Sequence, residues 1–457
     1  MGTFASTHRA LFLTLALLGA AGLTPACGGG SSGPSETGGR AGSSTGGTTV
    51  STGGTTASTG GTTASTGGVT GVTGGSGGGG QTAGQGGGPG GRGGQAGRGT
   101  GGTGGAGGGH GPGGAGGTAG SGGAAGAAGT AGASGASGPC DLYQAAGTPC
   151  VAAHSTVRAL YASYAGNLYQ VRRASDKTTK DVPVLSPGGI ANAAVQDNFC
   201  SATTCTISII YDQSSNHNDL TKAPPGGWLT NGGLEANATA AKISLNGHTV
   251  YGVYTTSNFD NDVGAVGYRN NHTKGVATGD QPEAMYMVAG GKHYNQWCCF
   301  DYGNAETDNV DDGKATMEAV YFGSSTQWAK GNGSGPWVEA DLEDGVYHGA
   351  DPNAVTATNT PISVNYVTAM LKGASGNRFA LKAGDAQTGA LMTKYDGARP
   401  TGYSPQKKQG AIILGIGGDN SHTGEGTFFE GCMTAGLPSD AVDSAVQANI
   451  VAAGYGR

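Results

Sequence analysis

The chain has 457 residues, 95 of them glycine, a formal net charge of −6 and only 12% charged residues. Most of the glycines fall in the first third, so the chain able to bury a core is 139–457, enough for one large domain. The acidic balance and the lack of any basic cluster exclude a nucleic-acid partner.

His8 and Arg9 precede an apolar run from Ala10 to Leu23, followed by Thr24-Pro25-Ala26-Cys27. Residues 1–27 read as a signal peptide, too short to span a membrane. Cys27 follows a small residue and opens a Gly/Ser tract, which makes it a lipidation candidate, although Thr24 stands where lipoprotein sites usually carry leucine. Plain secretion is the alternative. Either way the protein is expected to be extracellular or at the cell surface, with a membrane tether through the Cys27 lipid in the first case. Residues 28–138 are Gly, Ser, Thr and Ala, with a Ser-Thr-Gly-Gly-Thr-Thr repeat starting at Ser44, Ser51 and Ser58. Such a segment cannot offset its ordering entropy, so it is expected to be a disordered tether spanning on the order of 60 Å root-mean-square.

In an exported protein the short loops Cys140 to Cys150 and Cys200 to Cys205 read as local disulfides. No histidine sits beside them at zinc-ligand spacing, and no metal or other cofactor is expected. The adjacent pair Cys298 and Cys299 is either two buried thiols or a strained eight-membered ring. Cys432 is left as a free buried thiol.

Helical spacing is confined to Ser155–Tyr164, Ile190–Phe199 and Ala441–Ala453. Strand signals dominate elsewhere: Thr206–Tyr211, Lys242–Leu245, Ala284–Ala289, Ala315–Phe322, Trp337–Leu342, Ile362–Leu371, Arg378–Lys382, Ala411–Ile416 and Thr427–Thr434. Many short strands separated by Gly, Asn, Asp and Pro predict an all-β sandwich or barrel. No GxGxxG, P-loop or GxSxG motif is present.

The most informative stretch is Trp337 to Gly345. Read with period two, Val338, Ala340 and Leu342 face a core, while Trp337, Glu339, Asp341 and Glu343 share the other face. A solvated acidic face is the plain reading. However, Asp341 and Glu343 would sit about 7 Å apart, close enough to perturb each other's protonation. Asp419 closes a second apolar run, Ile412 to Asn420, where a carboxyl can stay protonated. An ionised and a protonated carboxyl beside an aromatic ring suit glycoside hydrolysis. Glu318, Asp301 and Glu306 compete for these roles and are expected to be structural, as are Trp297 and Trp337.

Several blocks resemble one known catalytic domain: Pro139 to Tyr143, Thr148 to Thr156, Tyr211 to Ser214, Ala223 to Gly227, Cys298 to Glu306, Gly410 to Asn420 and Gln447 to Val451. They are similar to the α-L-arabinofuranosidases of glycoside hydrolase family 54, over essentially all of 139–455. The resemblance implies a concanavalin-like, jelly-roll β-sandwich and a retaining, exo-acting enzyme that removes terminal arabinofuranose from arabinoxylan, arabinan or related plant cell-wall polysaccharides. It puts the nucleophile on Glu343 and the acid/base on Asp419. Sugar contacts fall on Asp341, Asp344, Gly418 and Trp328, with a vicinal disulfide Cys298–Cys299 as pocket floor. Fungal members carry asparagines after the nucleophile, where this chain has Asp344 and Gly345. They also continue into a C-terminal arabinose-binding module, and this chain ends at Arg457. A monomer is expected. The alternatives are a non-catalytic carbohydrate-binding sandwich and β-xyloside activity in the same pocket.

Overall fold

The computed structural model describes residues 137–259 and 264–457. The expected signal peptide, Cys27 and the expected tether up to residue 136 lie outside the described residues.

Two antiparallel sheets face each other. The first has eight strands, in the order Thr388–Gly397, Arg378–Asp385, Tyr366–Ala374, Glu283–Tyr294, Gly426–Ala435, His248–Thr255 and Ala241–Leu245, with Cys150–Ser155 also paired to Gly426–Ala435. The second has ten strands, running Val346–Tyr347, Trp337–Asp341, Glu318–Gly323, Asp301–Ala305, Ala411–Leu414, Tyr268–Asn270, Leu220–Lys222, Cys205–Ile210, Asn167–Arg173 and Thr179–Pro183. This is the expected all-β sandwich. Its core forms where alternate residues of facing strands meet: Val338, Ala340, Val320, Phe322, Tyr302, Ile412 and Leu414 from one sheet pack with Met285, Met287, Leu371 and Phe428 from the other. Gly303 marks the close approach. A Cβ there would meet the Cα of Ala319 at 2.6 Å and the sulfur of Met285 at 2.7 Å.

Three helices are described, Pro139–Ala145, Ala193–Phe199 and Asp440–Ala452. The last begins as its sequence suggests, with the Ser439 side chain accepting from the Val442 N–H. The expected helix over Ser155–Tyr164 does not form. Ser155 instead ends a strand, and its hydroxyl accepts the N–H groups of Val157 and Arg158, both at 3.1 Å. Ala159 N–H donates to Gly189 and Ala191 N–H to Val157, so this segment's hydrogen bonds go sideways. Val157 and Leu160 are still buried, which is why their spacing imitated a helical stripe.

Cys140–Cys150 and Cys200–Cys205 are bonded, with Cα separations of 5.6 and 5.9 Å, and Cys432 is a free buried thiol. Among the described residues no helix is long and apolar enough to cross a membrane.

Buried charges are paired. Glu430 receives Arg158 in a fork at 2.5 and 2.7 Å, and the Tyr455 hydroxyl at 2.8 Å. Between the sheets, Glu318 takes Arg399 and Lys408, each at 2.8 Å, and Lys408 also reaches Glu283 at 3.2 Å. Burial pushes the Glu318 carboxyl up, but Lys408 and Arg399 outweigh it and hold it below its usual value. Glu318 is therefore structural, as expected. Glu318→Ala would leave buried Arg399 without a carboxylate and Lys408 with Glu283 alone, and unfolding in urea should show a loss of about 3–5 kcal/mol. A loss under about 1 kcal/mol would mean the network carries no weight in the fold.

Candidate active site

The site is built on the outer face of the ten-stranded sheet. Residues directly opposite each other in antiparallel strands share a face. Asp341 lies opposite Ala319, Ala319 opposite Gly303, Gly303 opposite Ile413, and Ile413 opposite Arg269. An acid and a base thus end a row whose middle is small or apolar. One row further on, Glu339 faces Tyr321 and Tyr321 faces Asp301.

The alternation read from the sequence holds as far as Asp341 and then stops. Glu343 and Asp344 are left-handed, with φ of 63° and 55°, and Leu342 N–H donates to the Gly345 carbonyl at 3.2 Å. Such turns tolerate Asp and Asn better than most residues, which suits Asp344. Glu343 is therefore not a strand residue; its carboxyl leaves the sheet on a tight turn, and its N–H donates to Asp341 Oδ1 at 3.2 Å. The face is not solvated either: Glu339, Asp341 and Glu343 are all buried. Asp344, half-buried on the same turn, adds its charge beside Tyr347 and Tyr403.

Asp419 comes from the segment after Ala411–Leu414, which folds back across the sheet. Gly415 N–H donates to the Asp301 main-chain carbonyl, Asp419 Oδ1 accepts from Ser421 N–H at 2.9 Å, and the Asp419 carbonyl accepts from Trp228 N–H at 3.0 Å. Gly418 then sits against the carboxyls. A Cβ there would lie 2.1 Å from Glu306 Oε2 and 2.7 Å from Glu343 Oε2, so only glycine lets the backbone in. Arg269 locks this approach. Its guanidinium donates to the Gly418 carbonyl at 2.5 Å, to Asn420 Oδ1 at 3.0 Å and to the Glu306 carbonyl.

Cys298 and Cys299 are disulfide-bonded and pack with Tyr321, Val346 and the half-buried Trp328. The sulfur of Cys299 lies 3.0 Å from Asp341 Oδ2. The cysteine pair, Trp328 and Asp341 thus share one wall of the site. Trp337 is fully buried, donating its indole N–H to the Asn332 carbonyl at 3.0 Å, and Trp297 is half-buried against Phe259. The sulfurs near Asp341, and those of Cys140 and Cys150 near Cys432, are tied up in disulfides, so neither group offers a thiolate pair to a metal.

Two residues expected to be structural belong to the site. The Asp301 carboxyl lies beside that of Asp341, and the Glu306 carboxyl beside that of Glu343. Glu306 is fully buried, with Thr316 donating its hydroxyl to Oε1 at 2.5 Å. Burial comes first in raising every one of these carboxyls. Asp341 and Glu306 are each pushed up to about 7, and Asp301 and Glu343 are also raised well above the usual carboxylate value, with neighbouring carboxylates adding to the burial. Arg269 is lowered to about 10 by burial, and Glu306, Glu343 and Asp419 hold it from falling further. Arg269 was not singled out in the sequence. It lies in the three-residue strand Tyr268–Asn270, too short to show a period. Behind Asp341, His348 Nε2 stands 3.2 Å from Glu339 Oε2, and burial lowers His348 to about 4.

A raised carboxyl stabilises the fold below its unfolded value near 4, and that contribution disappears as pH rises through its folded value. For Asp341 the window is from about 4 to about 7. Asp341→Asn should therefore be close to neutral at pH 5 and stabilising by about 1–3 kcal/mol at pH 8. Calorimetric melting at the two pH values checks this, and equal shifts at both would contradict a raised Asp341.

The family model described as alpha-L-arabinofuranosidase B, catalytic, matches residues 139–456. The alpha-L-arabinofuranosidase B of Emericella nidulans is 55% identical over 324 residues, which cover 69% of this chain and 62% of that protein. The chain thus spans about 62% of the length of the curated relatives it matches. Among solved structures, a glycoside hydrolase family 54 α-L-arabinofuranosidase soaked with a cyclic sulfate inhibitor superposes with a TM-score of 0.66 at 52% identity, covering 70% of this chain and 66% of the other. An arabinofuranosidase complexed with arabinofuranosyl-α-1,2-xylobiose matches with the same TM-score at 51% identity, covering 70% and 65%. With sandwich, site face and these likenesses in agreement, the chain belongs to the catalytic-domain family of alpha-L-arabinofuranosidase B.

Proposed function

We propose that the chain is an exported, retaining α-L-arabinofuranosidase that removes terminal, non-reducing arabinofuranosyl groups from arabinoxylan, arabinan or related hemicellulose. The observation that carries this reading is the convergence of Glu343 and the Asp419 segment at Gly418, on a buried face walled by Trp328 and the Cys298–Cys299 disulfide. The arabinofuranosyl-xylobiose bound to a relative of 51% identity supports a side chain on a xylan backbone as substrate.

Glu343 is the nucleophile in this reading and Asp419 the acid/base. The Glu343 carboxylate attacks the anomeric carbon as Asp419 gives its proton to the departing glycosidic oxygen, so one C–O bond breaks as the ester forms. Asp419 then takes a proton from water, whose oxygen displaces Glu343 and frees the sugar. Two inversions retain configuration. Asp341, beside Asp301 on the wall of the site, hydrogen-bonds sugar hydroxyls. Gly418, with no side chain, lets main chain approach the ring. Asp344 borders the pocket, where its charge contacts the sugar differently from the neutral asparagine of fungal members. Nothing in this scheme asks for more than a monomer. The leader and Cys27 direct the domain outward, with the Gly/Ser/Thr segment as tether.

Hydrolysis of 4-nitrophenyl α-L-arabinofuranoside tests the activity directly, and no release would overturn the reading. The roles are tested by azide. Glu343→Ala should lower kcat by more than about 10⁴-fold on every substrate, since no ester can form. Azide added to it should attack directly and give the inverted glycosyl azide. Asp419→Ala should still form the ester from an activated aryl glycoside and then wait for water; azide, needing no base, should rescue it with retained configuration. NMR of the azide product reads this out, and opposite stereochemistry would exchange the two assignments.

A further inference from the structure

Glu306 is buried among groups that do not explain it. Its Oε1 takes the Thr316 hydroxyl, while Oε2 has no donor among the described residues and points at the Gly418 Cα beside Glu343 Oε2. Two ionised carboxylates have only acceptors to offer each other, so carboxyls in hydrogen-bond contact must hold a proton between them. We propose that Glu306 is a positioning residue and the proton partner of Glu343: the pair holds one proton at working pH, and Glu306 carries it when Glu343 attacks. This rests on Glu343 being the nucleophile, as argued above.

The surroundings fit a pair with one proton. Facing it are Arg269 from the Tyr268–Asn270 strand, Asp419 from the folded-back segment, Asp341 from the end of its strand, and Asp311; Asp308 lies nearer Arg269. A single guanidinium, spent on the Gly418 and Glu306 carbonyls and Asn420, faces Glu306, Glu343 and Asp419 together. A fully ionised pair would leave two carboxylates in contact with each other, against one cation that also faces Asp419, at a buried site. Burial raises both members, and neighbouring carboxylates add to it at Glu343, so Glu343 can hold the proton at rest. For attack it must cross to Glu306, whose O–H then donates to Glu343 Oε2. No other acceptor is needed, since the proton moves between two oxygens already in contact. Once the ester forms, Glu306 keeps its proton by burial, opposed only by the Thr316 hydroxyl and the nearby Arg269.

Coupling is what the test must see. Infrared difference spectra near pH 6 should show a protonated-carboxyl band in the unmodified protein that shifts in frequency in Glu306→Gln and equally in Glu343→Gln, because either amide replaces the carboxyl that shares the proton. This arm needs no turnover, so it decides the proposal even if arabinofuranosides prove not to be substrates; that outcome would instead overturn the proposed activity. With an active enzyme, Glu306→Ala should lower kcat by about 10- to 100-fold with little change in KM, the effect of one lost charge-assisted hydrogen bond. Glu306→Gln, which still donates an N–H, should lose less. A band left unshifted in Glu343→Gln, or a Glu306→Ala enzyme as fast as the unmodified one, would overturn the proposal.

Discussion

The constraint on which the site depends is the exclusion of water from a face that carries six carboxyls. Asp301, Glu306, Glu339, Asp341, Glu343 and Asp419 are each 3% exposed or less, and Arg269 is the cation that faces three of them. So many negative charges cannot coexist there; protons must remain bound, and carboxyls in contact must share them. The chain reaches this state through backbone. A turn with two left-handed residues lifts Glu343 off its strand, and a glycine lets the folded-back segment press in from above.

The two faces of the ten-stranded sheet divide the work. The inner face buys stability in the usual way, by alternating apolar residues against the opposite sheet. Its buried ions are neutralised by partners of opposite charge, Glu318 by Arg399 and Lys408. On the outer face the ions are left with like charges for company. Glu318 and Glu306 illustrate the contrast: both are fully buried, yet one is held below its ordinary value and the other is raised to about 7.

Much of this was legible in the sequence, and the failures have physical causes. Period-two alternation placed Trp337, Glu339 and Asp341 on one face, and the strands around Ala411 and Thr427 were readable from their apolar runs. The solvated reading of the acidic face failed because its roof comes from residues some 80 positions downstream, which no local pattern reveals. Glu306 and Asp301 looked structural because each stands alone in sequence, and their partners meet them only across strands. The false helix at Ser155–Tyr164 arose from apolar spacing that serves burial while a serine hydroxyl satisfies the backbone.

Arg269 holds Gly418 and Glu306 by their main-chain carbonyls. A carbonyl does not change when its side chain does. At Gly418 and Glu306 the hold is therefore indifferent to the side chain, whereas at Asn420 it also grips the amide oxygen. For an engineer this separates two problems: a change at position 306 leaves the arginine's grip intact, and a change at position 420 loosens it.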